Sequence, residues 1–327
     1  MTRVAFVDRD PPSGFLALDR ECLEASFEVE RLVYPGRTNC RYLRETWQAA
    51  RACEAMCVFF ASEHALLPVL IFKLRRRRVV LVPGGYDYAN VPERHYGLAA
   101  RGRGGLPKLI GRMADVALPL SRQTQAEFLS LVPSAAKRTF LGYLAVDPRK
   151  WGDLGIERDP SQVVTVGYID EEAWSRKGID RFVACATDDP GRSYVLVGRM
   201  VPSIVQRITS HAPPNLRLAG HLPHEELRRL LWSSGVYAQL SWHETFGVAM
   251  AEAMLCGCVP VITPLPALRE VAGNWAVCVR AEESDVDAVR RAAGTTIDRS
   301  AMRCDVATRF SPLNRRRLLA DAVNGSL

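Results

Sequence analysis

The sequence predicts an α/β protein made of two Rossmann-like domains. Three observations carry this. Strand-like runs alternate with helical stretches in two successive series, and an aperiodic segment containing prolines separates the series. The third is length, since 327 residues exceed an ordinary domain of about 150. Hydrophobic residues make up 48% and charged residues 24%, enough to fill two cores and to exclude a disordered chain.

In the first series RVAFVD reads as a strand, residues 15–25 as a helix, FEVERLVY as a strand and residues 42–55 as a helix. MCVFFA, the apolar stretch after His64, VVLVPGG, a helix over 106–113, ADVALPLS and a helix after Arg122 continue the alternation. Strands and helices in alternation imply a parallel sheet covered on both faces. The segment LGYLAVDPRKWGDLGIERDPSQ has mixed charge and little periodicity, and reads as the interdomain linker. VVTVGY, SYVLVG, NLRLAG, VYAQLS, VPVIT and WAVCVR then read as strands, with helices starting near Lys177, Val201, His224, Phe246 and Asp285. Near the end, Ser311 reads as an N-cap with Pro312 at the first helical position. The expected domains are 1–150 and 151–310, with a helix over 311–327 that packs back on the first domain.

The formal charge of +7 favours anionic partners such as phosphates or acidic lipid headgroups. Arginines 75–78 and 315–317 concentrate it and offer a basic surface for peripheral contact with the inner face of a membrane; the plainer reading is solvated helix and strand ends. Nucleic acid is not expected as a partner. Nine cysteines without a C-x-x-C unit point to neither a disulfide framework nor a zinc site and suit a reducing compartment. The longest apolar run, ALLPVLIF, is too short to span a bilayer, so a cytoplasmic protein is expected. The phosphate-binding G-x-G-x-x-G of dehydrogenases, the Walker A loop, the G-x-S-x-G elbow and H-E-x-x-H are all missing.

Chemistry concentrates in SWHETFGVAMAEAMLCG, which reads as a strand-to-helix turn with Gly247 near the start of the helix and Gly257 just past its end. A helix N-terminus there aims unpaired N–H groups and partial positive charge beyond the carboxyl ends of the strands, where a phosphate fits. Glu252 is the only charge in an otherwise apolar helix, and a vicinal diol such as ribose would satisfy its lone pairs. Glu244 lies eight residues earlier, about 12 Å along a helix axis, near the span from ribose to sugar across a diphosphate. The plainer alternative makes Glu244 a helix-end charge and Glu252 a carboxylate satisfied by backbone or water.

The stretch SWHETFGVAMAEAMLCGCVPVITPLPALREVAG resembles the C-terminal signature of the family-four retaining glycosyltransferases, with their Glu-x7-Glu pattern at Glu244 and Glu252 and the E-A-M-x-x-G-x-x-P-V run from Glu252 to Val261. SRKGIDRF and LAGHLPHEEL extend the resemblance; GGYD, ADVALPLS and VDPRKW carry it loosely into the first half. The resemblance implies two facing Rossmann-like domains, the GT-B architecture, with a central cleft. It implies that Glu252 binds ribose hydroxyls, that Glu244 and the N–H groups at Phe246, Gly247 and Val248 face the sugar and phosphates, and that Lys177 neutralises the diphosphate leaving group. Tyr168 stands where many members have an arginine, so Arg176 or Arg199 is the candidate second cation. The backbone at His221 and Leu222 matches the base-contacting loop. Gly14 after PPS matches the glycine loop of the first domain, with an ordinary turn glycine as the alternative. His64 and Asp87 are candidates for sugar or acceptor contact, against structural roles.

The expected function is transfer of a hexosyl group from a UDP- or GDP-sugar to a hydroxyl of a glycan, lipid-linked or small-molecule acceptor. It is expected to proceed with retention, with no metal and no cofactor beyond the nucleotide sugar as co-substrate. The alternatives are an epimerase or phosphorylase on the same fold, or a non-catalytic nucleotide-sugar-binding subunit.

Overall fold

The runs read as strands are covered on both faces, as a parallel sheet flanked by helices requires: Val4, Ala5, Phe6 and Val7 are fully buried, and so are Met56, Cys57 and Val58. The computed structural model describes residues 2–9 and 14–327, and the chain divides into two compact units, Met1–Ala145 with Phe310–Leu327, and Val146–Arg309.

The first unit runs through β1 (Arg3–Arg9), α1 (Gly14–Glu24), β2 (Glu28–Tyr34), α2 (Cys40–Ala52), β3 (Ala55–Phe59), α3 (Glu63–Leu74), β4 (Arg78–Val82), the single turn α4 (Gly85–Tyr88), α5 (Gly105–Met113), β5 (Val116–Ala117) and α6 (Arg122–Leu131). Its strands form one parallel sheet in the order β2-β1-β3-β4-β5. Helices α2, α3 and α5 touch in succession and form one layer. Under that layer Val7, Val58, Leu81, Ala49, Phe72 and Ile110 share a core.

The second unit runs through β6 (Asp159–Val166), α7 (Glu171–Arg176), α8 (Ile179–Asp188), β7 (Ser193–Val197), α9 (Pro202–Thr209), β8 (Leu216–Gly220), α10 (His224–Ser233), β9 (Ser234–Gln239), α11 (Val248–Leu255), β10 (Val259–Ile262), α12 (Pro266–Ala272), β11 (Val277–Cys278), α13 (Asp285–Ala293) and α14 (Arg299–Arg309). Its six strands are parallel, in the order β11-β10-β9-β6-β7-β8. WAVCVR contributes only the two residues of β11. The expected linker is not a free tether: Trp151 is buried, its carbonyl accepts from the Trp232 indole, and β6 begins within the segment.

After α14 the chain returns to the first unit as α15 (Pro312–Asn324), with the Ser311 side chain accepting from the Asn314 amide. Inside that unit Arg315 is fully enclosed. Its guanidinium grips the Asp19 carboxylate of α1 with both arms, at 2.9 and 2.6 Å, and donates to the Gly142 carbonyl at 2.8 Å. Both side chains are 1% exposed. The arginine run is also largely committed to structure: Arg75 and Arg77 donate to the Ala50 carbonyl near the end of α2, and Arg78 donates to Ala322 in α15. Such carbonyls are the negative end of a helix, so the cations cap it.

Removing one partner of a buried pair strands the other charge. Arg315→Ala or Asp19→Ala is therefore expected to lower unfolding free energy by about 3–5 kcal/mol, whereas Asp19→Leu combined with Arg315→Met recovers most of the loss; urea titration of the three variants checks this.

Candidate functional site

The site grows from the carboxyl ends of the second unit's strands. Gly167, Gly198 and Gly220 stand at the ends of β6, β7 and β8, where the Gly167 amide donates to Val197 and the Gly198 amide to Gly220. A Cβ on Gly198 would fall 1.7 Å from the Gly167 carbonyl oxygen, so these backbones approach as only glycine allows.

After β9 the chain does not enter α11 at once. Gly247 sits at φ 95°, and a Cβ there would reach 3.0 Å from Leu268 Cδ2. The kink delays the helix until Val248 and leaves the Gly247 and Val248 amides without an acceptor among the described residues. At the other end, Arg158 donates to the Cys256 carbonyl at 2.7 Å and Arg299 to the Gly257 carbonyl at 3.0 Å. Helix α11 thus has its carbonyl end neutralised by cations and its amide end open, an arrangement suited to an anion.

Glu244 lies in the turn ahead of that amide end, not on the helix. The axial separation expected between Glu244 and Glu252 therefore does not apply. Its carboxylate accepts from Gln239 Nε2 at 3.1 Å and Ser241 Oγ at 3.3 Å, and lies 3.7 Å from Lys177 Nζ. Lys177 reaches it because the next residue, Gly178, adopts φ 67° hard against β9's end, where a Cβ would meet the Leu240 carbonyl at 2.1 Å. The lysine stem lies over Gly167, whose missing side chain makes room. The pair is largely covered, with 23% of the lysine and 11% of the glutamate side chain exposed. Sequence reasoning missed Gln239 and Ser241; a glutamine closing the apolar strand VYAQ is the signal that could have found them.

Glu252 is different. It is the one acidic residue of α11, among buried Met250, Ala251, Ala253 and Met254, and its carboxylate meets no donor among the described residues. Burial pushes its acid up to about 8, against the opposing charge of Lys150. The phenol of Tyr237, buried on β9, donates to Gln239; burial raises its pKa, and the charges of Glu244 and Glu252 raise it further. Both carboxylates thus bear on one ring.

The remaining expected residues fall as follows. Arg176 lies 3.5 Å from Glu172, within its own helix. Tyr168 is 56% exposed. Arg199, after Gly198, is exposed and forms no ion pair among the described residues. His221 is exposed and Leu222 partly so, after Gly220 at φ 65°. The Phe246 ring is buried in the core, which leaves its backbone, not its side chain, for the turn. Among the described residues no group of three or more His, Cys, Asp or Glu could hold a metal.

In the first unit the hydrogen bonds of two candidates favour the structural alternative. His64 is buried, with Nε2 2.7 Å from the Phe59 carbonyl and Nδ1 3.0 Å from Ser62 Oγ, so both ring nitrogens are engaged internally. Asp87 is 4% exposed and accepts from the Ala61 and Gly84 amides at 2.6 and 3.2 Å. It braces a turn in which Phe60 takes the left-handed value φ 70°. Residues 11–13, the approach to Gly14, lie outside the described residues; Gly14 itself opens α1 and is exposed.

Residues 152–304 match the family model described as glycosyl transferases group 1. No curated protein matches the chain. Among solved structures, HepE of Anabaena in complex with UDP-glucose is 16% identical with a TM-score of 0.78, covering 99% of this chain and 100% of that one. Sucrose-phosphate synthase of Thermosynechococcus elongatus is 16% identical with a TM-score of 0.75 and 99% of each chain covered. A glycosyltransferase from Rickettsia africae is 12% identical with a TM-score of 0.74, over 99% of this chain and 98% of its own. The chain therefore has the GT-B fold throughout, and its second unit, which holds Lys177, Glu244 and Glu252, matches the glycosyl transferases group 1 family.

Proposed function

We propose that this chain transfers a hexosyl group from a nucleoside diphosphate sugar to an acceptor hydroxyl, with retention and without a metal. The observation that carries the reading is the Glu252 carboxylate, set among buried residues of α11 with its acid raised and with no donor among the described residues. Two adjacent ribose hydroxyls supply the donors it lacks. UDP is favoured over GDP because HepE, of the same fold, holds UDP-glucose.

With ribose at Glu252, the diphosphate lies at the open amides of Gly247 and Val248, and Lys177 turns from Glu244 toward it. His221 and Leu222 are assigned to the base, and Arg199, which has no ion pair among the described residues, becomes the better candidate than Arg176 for a second cation. Glu244, held by Gln239 and Ser241, faces the sugar. In the transfer, the bond from the anomeric carbon to the diphosphate oxygen breaks and its electron pair leaves with the diphosphate. The acceptor oxygen bonds on the same face and gives its proton to the departing oxygen. Lys177 and the amides stabilise the charge that develops, which is the work a divalent cation would otherwise do. The first unit is assigned the acceptor.

Glu252→Ala is expected to weaken UDP-glucose binding about 10- to 100-fold, the equivalent of about 1–3 kcal/mol for a hydrogen-bonded partner, by isothermal titration. Unchanged affinity would remove Glu252 from the site and with it the reading. Lys177→Ala is expected to lower kcat with a smaller change in donor affinity, measured by release of UDP in the presence of acceptor; the reverse pattern would make the lysine a binding group only.

The raised acid of Glu252 also predicts a pH dependence. Between about 4.5 and 8 the folded protein keeps a proton at Glu252 that the unfolded chain has released, so the ligand-free protein loses stability as pH rises through that window. Ribose hydroxyls need the carboxylate, so nucleotide affinity should rise over the same range as binding expels the proton. Thermal unfolding and titration across pH test both, and Glu252→Gln should flatten both profiles.

A further inference from the structure

The first unit carries an exposed apolar surface outside the candidate donor site, which lies in the second unit. Helix α3 covers one face of a sheet, so its outer side should be polar. Instead residues 65–72 read ALLPVLIF, with Glu63 and Lys73 as the only charges of the helix, near its two ends. Leu70 and Leu74, one turn apart, are 43% and 74% exposed. On neighbouring α2, Leu43 and Trp47 repeat the same spacing at 46% and 40%, and on α5 Leu109 is 45% exposed. The helices touch in the order α2, α3, α5, and the Arg75 guanidinium lies 5.2 Å from the centre of the Trp47 ring, which joins the α2 and α3 parts of the patch. Single exposed leucines are ordinary, but five large apolar side chains on one helical layer are not.

The charges around them that have no ion pair among the described residues are cationic. Arg44, Arg51 and Arg76 are exposed and form no ion pair among the described residues, and α5 adds Lys108 and Arg112. The acids of α2 and α3 are neutralised locally: Glu45 pairs with Arg41 at 2.7 Å, and Glu63 lies 3.6 Å from Arg103. No helix of the described residues is long and apolar enough to cross a membrane. Apolar anchors ringed by unpaired cations on the outside of a folded domain match a bilayer interface with anionic headgroups.

We infer that the outer face of α2, α3 and α5 docks on an anionic lipid surface, with Trp47, Leu70 and Leu74 entering the headgroup boundary. The inference is independent of the transfer reaction. The test is co-sedimentation of the full chain with vesicles of phosphatidylglycerol and phosphatidylcholine in equal parts, against vesicles of phosphatidylcholine alone. Binding is expected to the anionic vesicles only, to weaken with added salt, and to fall about tenfold or more for Leu70→Ser with Leu74→Ser and for Arg44→Glu with Arg51→Glu. All four substitutions are at exposed positions, so thermal unfolding should match the parent chain; that comparison separates lost docking from lost folding. Absence of binding to anionic vesicles, equal binding to both kinds, or binding that both double variants retain would overturn the proposal. So would a dimer in solution that Leu70→Ser with Leu74→Ser dissolves, since a second copy would then be the occupant.

Discussion

The first unit is assembled around one buried charge pair. Arg315 and Asp19 are enclosed by protein, and each is the other's principal compensation for leaving water. The third arm of Arg315 holds Gly142, where a Cβ would come 2.9 Å from Nη1, so the residue beside the guanidinium must be small. Gly142 lies just before the chain leaves the first unit and Arg315 just after it returns. Tyr143 and Phe310 pack edge to face beside them, with ring centroids 5.5 Å apart. One guanidinium thus fixes α1, α15 and the outgoing chain in a single place.

In the second unit the organising constraint is conformational. Gly247 and Gly178 take backbone angles that other residues reach only with strain, and at Gly178 the Leu240 backbone also leaves no room for a side chain. The first opens the amide end of α11; the second swings Lys177 against Glu244. The surrounding electrostatics are consistent with this, because Arg158 and Arg299 occupy the carbonyl end of α11 and leave its positive end available. Glu252 meets no donor among the described residues, and burial holds its acid above the ordinary carboxylate range.

Most of the alternation of strands and helices was legible because most strands are short apolar runs, as in AMCVF and SYVLV, joined by helices of ordinary length. Ser311 and Pro312 announced α15, and Gly247 and Gly257 bracketed α11, since caps and left-handed residues are chosen locally. What sequence alone could not supply was tertiary. Glu244 looks helical by spacing, yet the φ of Gly247 places it in the turn, and its partners Gln239 and Ser241 are set by where β9 ends. His64 and Asp87 offer functional groups in a list of residues, but their hydrogen bonds are spent on Phe59, Ser62, Ala61 and Gly84. The arginine run looked like a free basic patch, whereas three of its four members hold helix carbonyls. Helices α12 and α14 were not read at all.

The return of α15 to the first unit also bears on how the protein is made. During synthesis the first unit emerges before the second but lacks α15, so Asp19 is without its Arg315 partner until α15 is made. The second unit is contiguous in sequence and can complete its own sheet as it emerges. The order of translation is therefore not the order of completion: the domain begun first is sealed last, when Arg315 leaves the ribosome and closes on Asp19.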